Sequence, residues 1–263
     1  GMTAAYGADG RLLGEAAPYT EARSEFLFEK ETQRLSPARP MPPHTGDMLL
    51  PALREETEKH GAVLIFDEVM CGFRTDFHGA QAKYGIHPDM TCLGKIIGGG
   101  LPAAAYGGRK EIMNCIAPDG SVYQAGTLSG NPLAVTAGIA TLREMMAIPD
   151  FNAQVAAKVT KLLAGWQEAA DEAGVPVQLH QSGSMFGLFF SDAPVVNYHD
   201  ACAADAVSFR VWFRAMLDQG IYLAPSPFET IFMSWAHSGE DIEKTIAAAR
   251  VAMKKVAEEK ASR

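Results

Sequence analysis

The segment Ala62-Val-Leu-Ile-Phe66 constrains this chain more than any other, because it is an unbroken apolar run that ends abruptly in Asp67-Glu68. A run with no polar alternation suits a strand covered on both faces, so it predicts a parallel strand inside an α/β layer. A second short segment, Met90-Thr-Cys-Leu93, ends the same way in Gly94-Lys95 and is followed by Gly98-Gly-Gly-Leu-Pro102. Open α/β sheets bind ligands beyond the carboxyl ends of their strands. One strand delivering a carboxylate and the next an amine to that rim could serve a single ligand.

The surrounding pattern supports such a layer. Leu49, Leu50 and Leu53, with the charges Glu55 to Lys59, predict an amphipathic helix that Gly61 closes. A strand is expected at 103–106, a short helix at 109–115, and a tightly packed helix at 133–146 with Pro132 in its first turn. A long helix over 151–173 ends at Gly174. Beyond it come strands at 185–190, 221–223 and 230–235 and helices at 203–219 and 240–258, the alternation of a smaller α+β domain. Residues 1–47 read as an arm or linker holding one helix-like stretch at 20–35, residues 48–174 as the large ligand-binding part, and 175–263 as the small C-terminal domain.

Bulk properties exclude several roles. The formal charge of -8 opposes phosphate backbones, and the one basic cluster is the pair Lys254-Lys255, which argues against nucleic acid as a partner. No apolar run approaches the ~20 residues of a membrane span. Gly1 before Met2 reads as the scar of a removed tag, and the stretch after it has no signal-peptide pattern, so the expected compartment is the cytoplasm. Cys71, Cys92, Cys115 and Cys202 are scattered without paired spacing, which predicts reduced, mostly buried thiols and no disulfides. The seven histidines are dispersed likewise, so no metal site is expected.

Three positions have the chemistry of a site, each with a plainer alternative. Lys95 is either an exposed lysine or, if desolvated, an amine able to form a Schiff base with an aldehyde. Asp67 is either a cap or ion-pair partner, or a carboxylate that keeps a cofactor's ring nitrogen protonated. Gly126-Thr127, in Tyr123-Gln-Ala-Gly-Thr-Leu-Ser-Gly-Asn-Pro132, precedes a helix and suits a phosphate, unless Ser129 or Asn131 simply caps that helix. Gly98-Gly-Gly100 does not make a G-x-G-x-x-G between strand and helix, which disfavours a nucleotide-binding reading.

Taken in order, Phe66-Asp-Glu-Val-Met-Cys-Gly-Phe-Arg74, Leu93-Gly-Lys-Ile-Ile-Gly-Gly-Gly-Leu-Pro102 and the segment from Tyr123 to Pro132 resemble the class III aminotransferase family, especially its aminomutase members. The likeness runs more loosely through Ala224-Pro-Ser-Pro-Phe-Glu229 and Ser234-Trp-Ala-His-Ser-Gly-Glu-Asp-Ile242, so it covers roughly residues 48–258. It implies the type I pyridoxal-phosphate fold, with an incomplete large domain of mainly parallel sheet plus a small C-terminal α+β domain. It implies pyridoxal phosphate as cofactor and a small amino acid as substrate. Lys95 would be the Schiff-base lysine and proton shuttle, Asp67 the partner of the ring nitrogen, Val69 the apolar residue under the ring, and Glu229 an acid near the substrate. Gly126 and Thr127 would hold the phosphate of a neighbouring subunit's cofactor, which implies a homodimer with shared sites.

The same resemblance implies that a segment normally found between the family's N-terminal arm and the Asp67 strand is absent. That segment would carry a Ser-Gly-Thr phosphate loop and the aromatic residue on the other ring face. Weak cofactor binding and no turnover are therefore expected, and the rival reading is a non-catalytic dimer that keeps the fold.

Overall fold

A computed structural model describes residues 3–6, 12–15, 25–29, 34–39 and 46–263, with side chains from Leu49 onward. The chain forms two compact units, Gly1–Pro149 and Asp150–Arg263. The first contains strands β1 (Thr3–Tyr6), β2 (Leu12–Glu15), β3 (Glu25–Glu29) and β4 (Arg34–Arg39), helix α1 (Gly46–Lys59), β5 (Val63–Asp67), α2 (Gly79–Tyr84) and β6 (Met90–Leu93). A 3-10 turn (Lys95–Gly98), β7 (Ala105–Gly108), α3 (Lys110–Met113) and α4 (Pro132–Ala147) follow.

The principal sheet has the order β2-β1-β5-β6-β7. Among the described strands only its central pair is parallel, with Ile65, Phe66 and Asp67 facing Met90, Thr91 and Cys92, while β1–β2, β1–β5 and β6–β7 are antiparallel, so this sheet is not mainly parallel as expected. The apolar run of β5 buries Leu64 and Phe66, which pack with Ile86, and leaves Val63 and Ile65 half-buried. Helix α1 closes as expected at Gly61, whose φ of +61° suits a residue without Cβ, and the Ala62 amide donates to the Thr57 carbonyl at 2.8 Å.

Two expectations for the N-terminal residues are corrected. Residues 25–29 and 34–39 are the antiparallel pair β3–β4, not part of a helix over 20–35. Phe26 and Phe28 favour extended backbone, and Pro37, which lacks an amide hydrogen, sits inside β4. Nor is this region only an arm, since β1 joins the principal sheet with Thr3 opposite Phe66. The tag reading of Gly1-Met2 lies outside the described residues.

The second unit contains α5 (Phe151–Ala173), β8 (Gln178–Ser182), β9 (Met185–Phe189), α6 (Tyr198–Ala203), α7 (Ala206–Asp218), β10 (Ile231–Phe232) and α8 (Gly239–Ala261). Its sheet, ordered β10-β9-β8, is antiparallel. Val159, Trp166, Trp212, Met216, Met253 and Val256 form its core, and Trp166 meets Trp212 edge to face at 5.0 Å between ring centroids. Because α5 buries Val155, Val159, Leu162 and Trp166 in this core, the division falls at Pro149/Asp150 and not near Gly174. The helix expected over 203–219 breaks at Asp205, whose carboxylate accepts the Val207 and Ser208 amides and starts α7 afresh. No strand forms at 221–223, and that expected at 230–235 shrinks to β10. No helix among the described residues is long and apolar enough to cross a membrane.

A buried carboxylate braces the end of the β5–β6 pair remote from Asp67. Asp89 Oδ2 accepts the Leu64 amide at 2.7 Å and Arg54 Nη1 at 3.1 Å, and its Oδ1 accepts Arg109 Nη1 at 3.0 Å. It thereby ties α1, β5 and the residue after β7 together. Burial alone would raise its pKa, but the Leu64 amide and the two guanidinium groups outweigh that and hold it below the usual carboxylate range. A depressed folded pKa means that the group stabilises the fold above its unfolded value of ~3.9. That contribution is lost as pH falls through the folded value.

Asp89→Ala removes the acceptor of the buried Leu64 amide and one acceptor each from Arg54 and Arg109, which keep Glu58 and Glu111, and it should destabilise the first unit by about 2 kcal/mol at neutral pH. Hydrogen exchange at the β5 amides measures this. The gap from the unsubstituted protein should close as the pH is lowered through the Asp89 titration.

Candidate functional site

The parallel register decides which side chains meet. Asp67, the last residue of β5, pairs with Cys92, and the next amide, Glu68, donates to the Cys92 carbonyl at 2.9 Å. Adjacent strands lie about 4.8 Å apart, so Asp67 leaves the sheet at the same rim from which the β6 chain runs on through Gly94 to Lys95. Asp67 Oδ1 accepts the Val69 amide at 3.0 Å, which turns the chain and presents Val69 inward. A side-chain carbon at Gly94 would lie 3.0 Å from Val69 Cγ1, so Val69 rests against the backbone one residue before Lys95. Asp67 and Val69 therefore lie at the rim where the backbone leads into Lys95.

Lys95 opens the 3-10 turn with a φ of +49°, a left-handed conformation that is costly for a residue with a Cβ. Such strain persists only where surrounding structure enforces it, and it concentrates at functional positions. Both Asp67 and Lys95 are exposed, and among the described residues neither is in an ion pair with the other or with a third group. A carboxylate and the chain leading to an amine thus reach one rim, and neither group is in an ion pair among the described residues.

Glu68 is the functional neighbour that sequence reasoning missed. Successive residues of an extended chain point to opposite sides, so while Asp67 is exposed, Glu68 is only 1% exposed. Its Oε2 accepts the Ala80 amide at 2.9 Å and the Cys71 thiol at 2.9 Å, and its Oε1 accepts the Gln81 amide at 3.0 Å. Gly79 makes room for the carboxylate, since a side-chain carbon there would lie 2.5 Å from Oε1. Glu68 thus pins the start of α2. The adjacent acids Asp67-Glu68 gave no sign in the sequence that one would be enclosed.

Gly126 and Thr127 lie in an exposed turn closed by the Ser129 amide on the Gly126 carbonyl at 2.9 Å. Asn131 is the cap of α4, its Oδ1 accepting the Leu133 and Ala134 amides at 3.1 Å. Among the described residues no hydrogen bond ties Gly126 or Thr127 to Asp67, Val69 or Lys95. Glu229 belongs to the second unit, exposed on a turn in which its amide donates to the Ser226 carbonyl at 3.2 Å. Nor is α4 enclosed all round: it buries Ala134, Gly138 and Met145, while Leu133 is 73% exposed.

The cysteines are all free, but fewer are buried than expected: Cys71 is buried, Cys92 half-buried, and Cys115 and Cys202 exposed. Burial first, then the hydrogen bond to Glu68, pushes the Cys71 thiol up to about 12. Burial first, then the Asp67 charge, raises Cys92 as well.

The chain is similar to known proteins. A family model described as aminotransferase class-III matches residues 43–248. The glutamate-1-semialdehyde 2,1-aminomutase of Desulfosudis oleivorans is 56% identical over 201 residues, which is 76% of this chain and 47% of that protein. Among solved structures, an omega-transaminase from Sphaerobacter thermophilus superposes with a TM-score of 0.73 at 32% identity, over 84% of this chain and 49% of that one. A structure described as a transaminase with PLP bound gives 0.70 at 27% identity, over 83% and 50%. The chain spans about half the length of the relatives it matches.

Thiol reactivity offers a check on the local electrostatics. Iodoacetamide near pH 8 should modify Cys115 and Cys202 readily and leave the buried Cys71 unmodified in the folded protein. Peptide mass spectrometry over a time course reads the order.

Proposed function

Because this chain belongs to the class-III aminotransferase family and has its type I pyridoxal-phosphate fold, we propose that it binds pyridoxal phosphate at the Asp67–Lys95 rim and serves amino-group transfer within or between small amino acids. The observation that carries the reading is the parallel register that brings Asp67, Val69 and Lys95 to one strand edge. The residues fit that cofactor. A carboxylate, an apolar side chain and an amine leave neighbouring strand ends, and Gly94 keeps the space beside Val69 narrow.

When bound, the cofactor supplies an electron-poor ring that accepts the electron pair released at a substrate carbon. Asp67 holds a proton at the ring nitrogen, which keeps the ring electron-poor. Val69 would lie against one face of the ring and keep water from it. Lys95 would hold the aldehyde end of the cofactor and would carry a proton between neighbouring substrate carbons.

The relatives named glutamate-1-semialdehyde 2,1-aminomutase favour glutamate-1-semialdehyde as substrate and 5-aminolevulinate as product, a step of tetrapyrrole biosynthesis. The rest of the reading is a cytoplasmic homodimer in which Gly126 and Thr127 reach the phosphate of the neighbouring subunit's cofactor. Four free cysteines suit a reducing compartment. An apolar face around Val122, Tyr123, Leu128 and Leu133, with Tyr123 83% exposed, suits a subunit interface. The internal segment that the resemblance implies to be missing would carry part of the phosphate cradle, so the chain should hold the cofactor weakly and show no aminomutase turnover. The same missing segment favours a second reading, a dimer that keeps the fold without catalysis.

Titration with pyridoxal phosphate should give the visible absorbance of a lysine–pyridoxal adduct, absent in Lys95→Ala and weakened about tenfold or more in affinity by Asp67→Ala. A colourless unsubstituted protein at saturating cofactor would sink the binding proposal. Light scattering should return a dimer. Conversion of glutamate-1-semialdehyde by this chain would overturn the expectation of no turnover.

A further inference from the structure

Helix α4 meets the Lys95 turn more closely than side chains allow. At Gly138, in the middle of that helix, any side-chain carbon would collide with the Ile97 carbonyl oxygen. One residue earlier the Ala137 carbonyl faces Gly99, where a side-chain carbon would lie 2.5 Å from that oxygen and 2.6 Å from Thr141 Oγ1. Gly99 itself has a φ of +59°. Backbone therefore presses on backbone at both ends of the short segment Ile97–Gly99, directly after Lys95. This contact is the enforcement that the left-handed Lys95 requires, because a lysine at a φ of +49° relaxes to ordinary helical or extended backbone if the turn behind it is free to shift.

A glycine inside a helix normally weakens it, since it loses more chain entropy on folding than alanine does. Its presence at 138 has the opposite logic: it permits the approach that fixes the turn. We propose that Gly138, far from the rim in sequence and bearing no chemistry, is a positioning residue for Lys95. It sets where the amine emerges by seating α4 on the Ile97 carbonyl. This rests on the reading of Lys95 as the cofactor's amine, but its geometric content stands on the free chain as well.

The test uses Gly138→Ala with three readouts: thermal stability, the pH profile of Lys95 acetylation by limiting acetic anhydride without cofactor, and the pyridoxal-phosphate absorbance titration. Helix propensity alone predicts a higher Tm and an unchanged Lys95. Positioning predicts a Tm that does not rise, a displaced acetylation profile at Lys95 but not at Lys161, and about tenfold weaker cofactor binding. An acetylation profile at Lys95 identical to that of the unsubstituted protein would overturn the proposal. If the unsubstituted protein forms no adduct, the function proposal fails while the acetylation profile still decides this one. If Gly138→Ala does not fold, Thr141→Ala, which removes the side chain braced against Gly99, should displace the same profile, and an unchanged profile there counts equally against it.

Discussion

The parallel pairing of β5 with β6 is the contact on which the site depends, because it converts two separate stretches of sequence into one rim. With Asp67 opposite Cys92, a carboxylate and the approach to Lys95 leave the sheet side by side. A register slip of one residue would turn Asp67 to the buried side and bring Glu68 out. Several polar contacts make that slip expensive. Asp89 grips the Leu64 amide at one end of the pair, and the Glu68 amide bonds the Cys92 carbonyl at the other. The pair is thus held at both ends by groups that would be left unsatisfied in any other register.

Two enclosed carboxylates divide the labour of the first unit. Asp89 is balanced by two guanidiniums and one amide, an arrangement that ties strands to a helix remote from the chemistry. Glu68 has no cation among its hydrogen-bond partners and is balanced by two backbone amides and a thiol. The first organises the sheet, whereas the second holds the start of α2. Asp67, next to Glu68 in the chain, remains exposed. Three acids of one unit therefore differ in burial and in partners.

The exposed apolar face of the first unit bears on the same site. Val122, Tyr123 and Leu128 surround the turn that holds Gly126 and Thr127, and Leu133 continues onto α4. Leaving such side chains in water is unfavourable at roughly 25 cal/mol per Å² of apolar surface. Covering that face and completing a phosphate site are consequently linked in the dimer reading. Helix α4 adds a mechanical connection, since its first turn follows Gly126-Thr127 and its middle bears on the turn of Lys95.

The sequence by itself determined the elements whose signals are local. The apolar runs of β5 and β6 and the glycine ends of α1 and α5 were legible, as were the long helices, because each depends on short-range periodicity and backbone preference. Asp67 and Lys95 stood out for the same reason, as charges placed at the ends of apolar strands. Only the tertiary structure decided the rest. Enclosure of Glu68 rather than Asp67 follows from which side of the strand faces α2. The capture of β1 beside β5 and the assignment of α5 to the second core depend on partners distant in sequence, as does the seating of Gly138 on the Ile97 carbonyl. Contacts between remote segments leave no periodicity in the chain, so a sequence can name the reactive groups while the packing alone selects which of them meet.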